Sequence, residues 1–278
     1  MPHALVTGAT SGIGAAFAEQ LAAAGYDLTL VARDPDRLAR TADALRRDHA
    51  VRVAVLAADL ASDDGLARVA ERAAAEPLDL LVNNAGFAHP AGFLRTPAAD
   101  EVRMLRVHCE AVLRLTHAAL PGMNARGRGG IVNVSSLWAF FPRSTYGASK
   151  AWINAFSRSL ADARIARPGV RVMALCPGYV RTALHERSGR DTSSIPRVMW
   201  TGADAVVRTA LRDLERGRTV CVPGAPNKAL VVLGRLTGRR FAGRVLQRLG
   251  SRPRRALTGG PRAPVPTAVQ EPDSPGGS

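Results

Sequence analysis

Cysteine, lysine and long apolar runs are what this 278-residue sequence has least of. Its three cysteines, Cys109, Cys176 and Cys221, are odd in number and widely spaced. That speaks against a disulfide framework and against a zinc or other metal site, and it fits a reducing cytoplasm. No apolar stretch reaches the roughly 18 residues a spanning helix requires. The opening Met1–Val6 has neither a basic start nor a long apolar centre, and reads as a strand rather than a signal peptide. Lysine occurs only at Lys150 and Lys228, so the formal charge of +15 is carried by arginine. Alanine is abundant as well, so a bias toward GC-rich codons accounts for the arginine excess. A nucleic-acid partner would rest on charge alone, with no recognisable binding motif, and is not expected.

What is present alternates short apolar runs with longer helical stretches, the mark of a parallel sheet whose strands are linked by helices. Strands are expected at 4–7, 27–32, 51–57, 78–83, 130–135, 170–175 and 219–222, with helices at 12–24, 36–48, 64–75, 98–120, 146–167 and 203–216. Pro121-Gly122 is expected to close the helix at 98–120. A run such as Leu78-Asp79-Leu80-Leu81-Val82 is too apolar for a half-exposed strand and suits a sheet covered on both faces. The fold class is therefore α/β, a doubly wound parallel sheet of about seven strands in one domain over 1–225, with ligands outside the carboxyl ends of its strands. Residues 226–250 read as a basic amphipathic helix, and the Pro-, Gly- and Ser-rich 251–278 as disordered.

The first strand-to-helix turn is Thr7-Gly8-Ala9-Thr10-Ser11-Gly12-Ile13-Gly14. Small residues there let the backbone approach a pyrophosphate that the helix N-terminus then stabilises. The second strand ends in Val31-Ala32-Arg33, with alanine where an acid would bond a ribose 2′-hydroxyl. Arg33 suits a 2′-phosphate, so NADP is expected over NAD. Arg37 offers a second contact to that phosphate, with a solvated helix residue the favoured reading, and Asp34 is read as a charge at a helix start. Tyr146 and Lys150 are four apart at the start of a helix, one turn apart on one face. An ammonium group there favours the phenolate and brings an otherwise weakly acidic phenol into use as a proton donor and acceptor. Ser136, at the end of the fifth strand, can hold a substrate oxygen.

Together, Thr7-Gly8-x-x-x-Gly12-Ile13-Gly14, Asn83-Asn84-Ala85-Gly86, Ser136, Tyr146-x-x-x-Lys150 and Pro177-Gly178 resemble the short-chain dehydrogenase/reductase family from about residue 3 to 224. The resemblance implies a single Rossmann-like domain, a homodimer or homotetramer, and hydride transfer between an alcohol and a ketone or aldehyde. It places Gly8, Ser11, Gly12, Ile13 and Gly14 at the pyrophosphate, Asp59 with Leu60 at the adenine, and Asn83, Ala85 and Gly86 at the adenosine ribose. Lys150 would bond the nicotinamide ribose, and Pro177, Gly178, Val180 and Thr182 would hold the nicotinamide. One position departs from the family pattern: His108 stands where an asparagine usually organises a water leading from the lysine to solvent. A neutral histidine also donates and accepts, so the relay can survive the change or be slowed by it. A chain that binds the cofactor with weak or no turnover is the alternative.

Ten of the thirteen aromatic residues fall between Phe87 and Trp200. Trp138 and Phe140 follow the Ser136 strand and Tyr179 follows Pro177-Gly178, so an apolar substrate pocket is expected, with His185 and Trp200 added from a lid-like segment. Trp152 and Phe156, inside a helix, are expected in the core. From Arg216 to Arg262 there is no acid, while leucines and valines at 230, 231, 233 and 236 recur among arginines. Weak peripheral contact with an anionic membrane is one expectation for that segment, and a dimer-packing helix or a solvated face is the favoured one.

Overall fold

A computed structural model describes residues 1–89, 91–163, 165–180 and 197–236. The strands are β1 (His3–Thr7), β2 (Asp27–Ala32), β3 (Val53–Ala57), β4 (Leu80–Asn83), β5 (Gly129–Val134), β6 (Val170–Leu175), β7 (Tyr179–Val180), β8 (Trp200–Thr201) and β9 (Val220–Cys221). Seven of them form one sheet in the order β3-β2-β1-β4-β5-β6-β9, every neighbouring pair parallel. The strand β7 pairs separately with β8. The helices are α1 (Gly12–Ala23), α2 (Pro35–Asp48), α3 (Asp63–Ala75), α4 (Ala98–Leu105), α5 (Ala111–Arg126), α6 (Thr145–Asp162), α7 (Ala203–Glu215) and α8 (Ala225–Leu236). Among the described residues no helix is long and apolar enough to cross a membrane.

Side chains alternate across each strand, so every strand feeds two cores. Ala4 and Val6 of β1 join Leu28 and Leu30 of β2 on the face covered by Phe17 and Leu21 of α1 and by Val206 and Val207 of α7. Leu5 and Leu81 point the other way, toward Leu66 and Val69 of α3 and Leu115 and Met123 of α5. Burial on both faces explains the uninterrupted apolar runs. The order turns back between β1 and β4, and a cleft opens there at the carboxyl ends of the strands. The opposite edge of the sheet is closed by polar clasps. Asp27 takes the Arg52 guanidinium at 2.6 Å and the Arg52 backbone N–H at 2.9 Å, Asp79 accepts from the His3 backbone at 3.0 Å, and Thr29 donates to Glu76 at 3.2 Å.

The structure corrects two expectations about helices. The helix expected at 98–120 is three pieces, because a π-turn over Arg106–Glu110 separates α4 from α5. Pro121 does not end it either. The chain stays helical to Arg126 and stops at Gly127 in the left-handed region, φ 65°. Continuation keeps Met123 fully buried and lets Asn124 clasp both the Ile165 carbonyl and the Arg167 N–H, which outweighs the hydrogen bond a proline removes. In α8, Leu230 and Val231 do not share an apolar outer stripe with Leu233 and Leu236. They pack inward against the Leu137–Phe140 turn, and Val232, Leu233 and Leu236 are exposed. The expected continuation of this helix to 250 and the disorder expected at 251–278 lie outside the described residues.

Candidate active site

The cleft is a cavity of about 1520 Å³ running from Arg33 and Arg37 past the glycine-rich turn to Tyr146, Trp138 and Tyr179. That exceeds an ordinary ligand pocket of about 300–1,000 Å³ and leaves room for a dinucleotide together with a substrate. Gly8 has φ 66° and Gly12 φ 58°, and a Cβ on Gly14 would be driven into the Gly8 carbonyl, so the turn folds this tightly only with glycine. Ser11 caps α1 without committing its hydroxyl to the helix, and it lines the cavity with Gly8, Gly12 and Ile13. Gly14 lies behind them. A free helix start and a backbone cradle of this kind fit a phosphate group.

Two residues that stand in the motifs but were given no role of their own hold the cradle. Asn84 donates to the carbonyls of Thr7 at 2.9 Å and Gly8 at 3.2 Å. The Thr7 hydroxyl accepts from the backbone N–H groups of Asn84 and Ala85. Asn83, expected at the ribose, is instead turned into the interior, donating to Asn133 at 2.9 Å and Thr116 at 3.3 Å. Arg37 also departs from expectation. It sits in the first turn of α2, whose start Asp34 caps by accepting from the Arg37 N–H. A side chain so placed leans back over the helix start, and the guanidinium donates to the Thr10 carbonyl at 3.1 Å. It lines the cavity beside Arg33. At the far end, Asp59 accepts from the Ala61 N–H at 3.0 Å and pairs with Arg103 of α4 at 2.6 Å, with Leu60 adjacent.

The central wall comes from β5 and α6. Ser144 caps α6 by accepting from the Gly147 N–H. The Tyr146 ring centroid lies 5.8 Å from Lys150 Nζ. Lys150 is 4 % exposed, donates to the Val134 carbonyl at 2.9 Å, and burial brings its ammonium down to about 8. Ser136 is buried at the cavity wall and accepts from the Trp138 N–H. His108 is wholly buried in the π-turn, its ring edge-on to Tyr146 at 5.6 Å. The Ser149 hydroxyl gives its one hydrogen to the Tyr146 carbonyl, so His108 Nδ1, 2.9 Å away, is the donor to Ser149. Nε2 then accepts from the Phe87 N–H at 3.2 Å. Desolvation first, and next the Lys150 charge, hold this imidazole well below its usual value, so it is neutral. Both ring nitrogens are occupied by protein partners. A Cβ on Gly86 would meet His108 Nε2 at 2.9 Å, which keeps that position glycine.

At the substrate end, Trp138 and Tyr179 line the cavity with Pro177, Gly178 and Val180, and Phe87, Phe93, Met104 and Val107 line the same cavity. Phe140 and Trp200 were expected there and are displaced from it. They pack with Leu230 and Val231, because the Leu137–Phe140 turn must bury one side against α8. Thr182 and His185 lie outside the described residues. Trp152 and Phe156 stack on each other at 4.8 Å, and Phe156 packs against the second core.

Comparison with known proteins agrees with this geometry. The short chain dehydrogenase family profile matches residues 2–193. A very-long-chain 3-oxoacyl-CoA reductase-B of Danio rerio is 33% identical over 200 residues, 69% of this chain and 64% of the relative, so less than two thirds of that protein's length is spanned. Among solved structures, a short-chain dehydrogenase from Sphingobium yanoikuyae in complex with NADPH is 34% identical, with TM-score 0.77 over 93% of this chain and 99% of the other. A bulky-bulky ketone specific alcohol dehydrogenase from Comamonas testosteroni is 30% identical, with TM-score 0.73 over 93% and 97%. A seven-stranded parallel sheet, the glycine cradle and a tyrosine–lysine pair on one helix therefore accompany a match over most of the sequence, and the chain belongs to the short chain dehydrogenase family.

Proposed function

We propose that this chain is an NADP(H)-dependent oxidoreductase that interconverts an apolar alcohol and its ketone or aldehyde, with Tyr146 as the proton donor and acceptor. The observation that carries this is Tyr146 beside Lys150 on the wall of the one cavity that also holds Ser136, the glycine cradle and Arg33. Arg33 and Arg37 together suit a 2′-phosphate, and the NADPH bound in the Sphingobium structure supports that choice. The nicotinamide, when bound, supplies or receives the hydride. Ser136 Oγ and Tyr146 Oη hold the substrate oxygen. In reduction the phenol gives its proton to that oxygen, and the Lys150 ammonium stabilises the phenolate left behind. The aromatic lining, and relatives named for very-long-chain acyl and bulky-bulky ketone substrates, support an apolar substrate.

The test is NADPH consumption against a panel of aldehydes and ketones. Tyr146→Phe should lose about 10²–10⁴-fold in kcat. Equal slow rates for wild type and variant on every compound would overturn the catalytic reading, and turnover confined to small polar aldehydes would overturn the apolar pocket.

A second reading, cofactor binding with weak turnover, is favoured by one observation: neither nitrogen of His108 is left to organise a water. A large gain in kcat on His108→Asn would support it. Self-association is proposed through the outer face of α5 and α6, where Leu113 and Ile165 border an apolar groove of about 680 Å³. Sedimentation velocity checks it. Cytoplasmic location is a further proposal, checked by cell fractionation. Weak contact of the C-terminal basic segment with anionic lipid is another, and equal vesicle binding by the full chain and by a chain ending at Gly224 would end it.

A further inference from the structure

Asp59 and Arg103 form an ion pair that stability alone does not explain. The two side chains are 33% and 46% exposed, and such surface pairs contribute little to folding. Their place is the notable feature. Both line the cavity at the end away from Tyr146, next to Leu60, Ala57 and Ala58. Arg103 belongs to α4, and it reaches across to the loop that follows β3. A second arginine in the adjoining π-turn grips the same loop: Arg106 donates to the Ala61 carbonyl at 3.1 Å and to Asp63 at 2.7 Å. One stretch of helix thus pins residues 59–63 with two guanidinium groups.

We propose that Arg103 is a base-selecting residue of the dinucleotide site: it fixes the Asp59 carboxylate to receive an exocyclic amino group and covers the purine ring with its own guanidinium plane. This rests on the reading of the cavity as a dinucleotide site. Three features point the same way. With one carboxylate oxygen held by the Ala61 N–H and the other by Arg103, the group is locked in one orientation while each oxygen keeps a lone pair for a further donor. The pair is neutral as a unit, so the carboxylate does not repel the phosphates of an incoming dinucleotide. A guanidinium is planar, weakly hydrated and stacks readily on aromatic faces, whereas Leu60 supplies an apolar surface on the same loop.

The experiment compares binding of NADPH with that of its hypoxanthine analogue, which has a ring oxygen in place of the 6-amino group, by nicotinamide fluorescence with wild type and Arg103→Ala. Wild type should bind NADPH at least about tenfold more tightly than the analogue, as expected for one charge-assisted hydrogen bond. Arg103→Ala should weaken NADPH about tenfold and weaken the analogue much less. Arg103→Lys, which keeps the charge but not the plane, should recover only part of the discrimination. Unchanged NADPH affinity in Arg103→Ala would overturn the proposal. So would an equal loss for both ligands, which would leave Arg103 acting only through contacts common to both, stacking or phosphate attraction, and not through the Asp59 carboxylate. Failure of wild type to bind either ligand would overturn the dinucleotide reading itself, and this inference with it.

Discussion

Lys150 shows what a single residue gives up to serve a site. An ammonium buried to this degree and brought down to about 8 is a cost to the fold at neutral pH. Lys150→Met should therefore abolish turnover while melting higher than wild type at pH 7. The pH dependence has a definite sign. Between about 8 and about 10.4, the ordinary lysine value, the unfolded chain holds more protons than the folded one, so the wild type gains stability as pH rises through that window. The difference in Tm between variant and wild type should shrink from pH 8 to pH 10; a constant or widening gap would contradict the buried-charge account. Tyr146 and Lys150 were legible in the sequence because both lie within one helical turn of each other. The tautomer of His108 was not, since it depends on the Phe87 N–H and the Ser149 hydroxyl, 21 and 41 positions away. Arg37 was misjudged for a similar reason: periodicity places a residue on a helix but does not say that its head turns back to a carbonyl of the preceding loop.

Among the elements, the turn from β1 into α1 is the most sharply constrained. Gly14→Ala would press a methyl group against the Gly8 carbonyl, and relief by shifting the turn should destabilise the protein by about 1–3 kcal/mol. NADPH binding should fall further than stability does, as read by fluorescence titration beside thermal melts. A variant that binds NADPH normally would show that the cradle has slack. Ser144→Ala removes the cap of α6 and should cost about 1 kcal/mol in stability. The seven sheet strands were legible to within about two residues at either end, since each is an apolar run bounded by turn residues. The interruption of α4 and α5 was not, because a π-turn leaves no mark in hydrophobic spacing. Pro121 misled for the opposite reason: its local preference is plain in the sequence, and the packing of Met123 that overrides it is not.

For the molecule as a whole, the parallel sheet sets chemistry and reinforcement at opposite rims. Every described residue of the candidate site lies at or beyond the carboxyl ends of the strands, whereas Asp27 with Arg52, Asp79 with His3, and Glu76 with Thr29 close the other rim. Hydrogen bonds from the Arg52 side chain, and then from its backbone, hold the Asp27 carboxyl below the ordinary carboxylate value. Its contribution is complete above the unfolded value of about 3.9 and is lost as pH falls through the lower folded value. Asp27→Asn should accordingly melt lower than wild type at pH 7 and converge with it toward pH 2. Parallel curves across that range would show that the clasp is inert. The inward packing of Leu230 and Val231 was illegible at this scale, because the amphipathic spacing does not say which apolar face has a partner. The separation of the rims has a practical corollary. Hardening substitutions beneath the sheet should leave reactivity alone, and trading one substrate for another above it should not risk collapse.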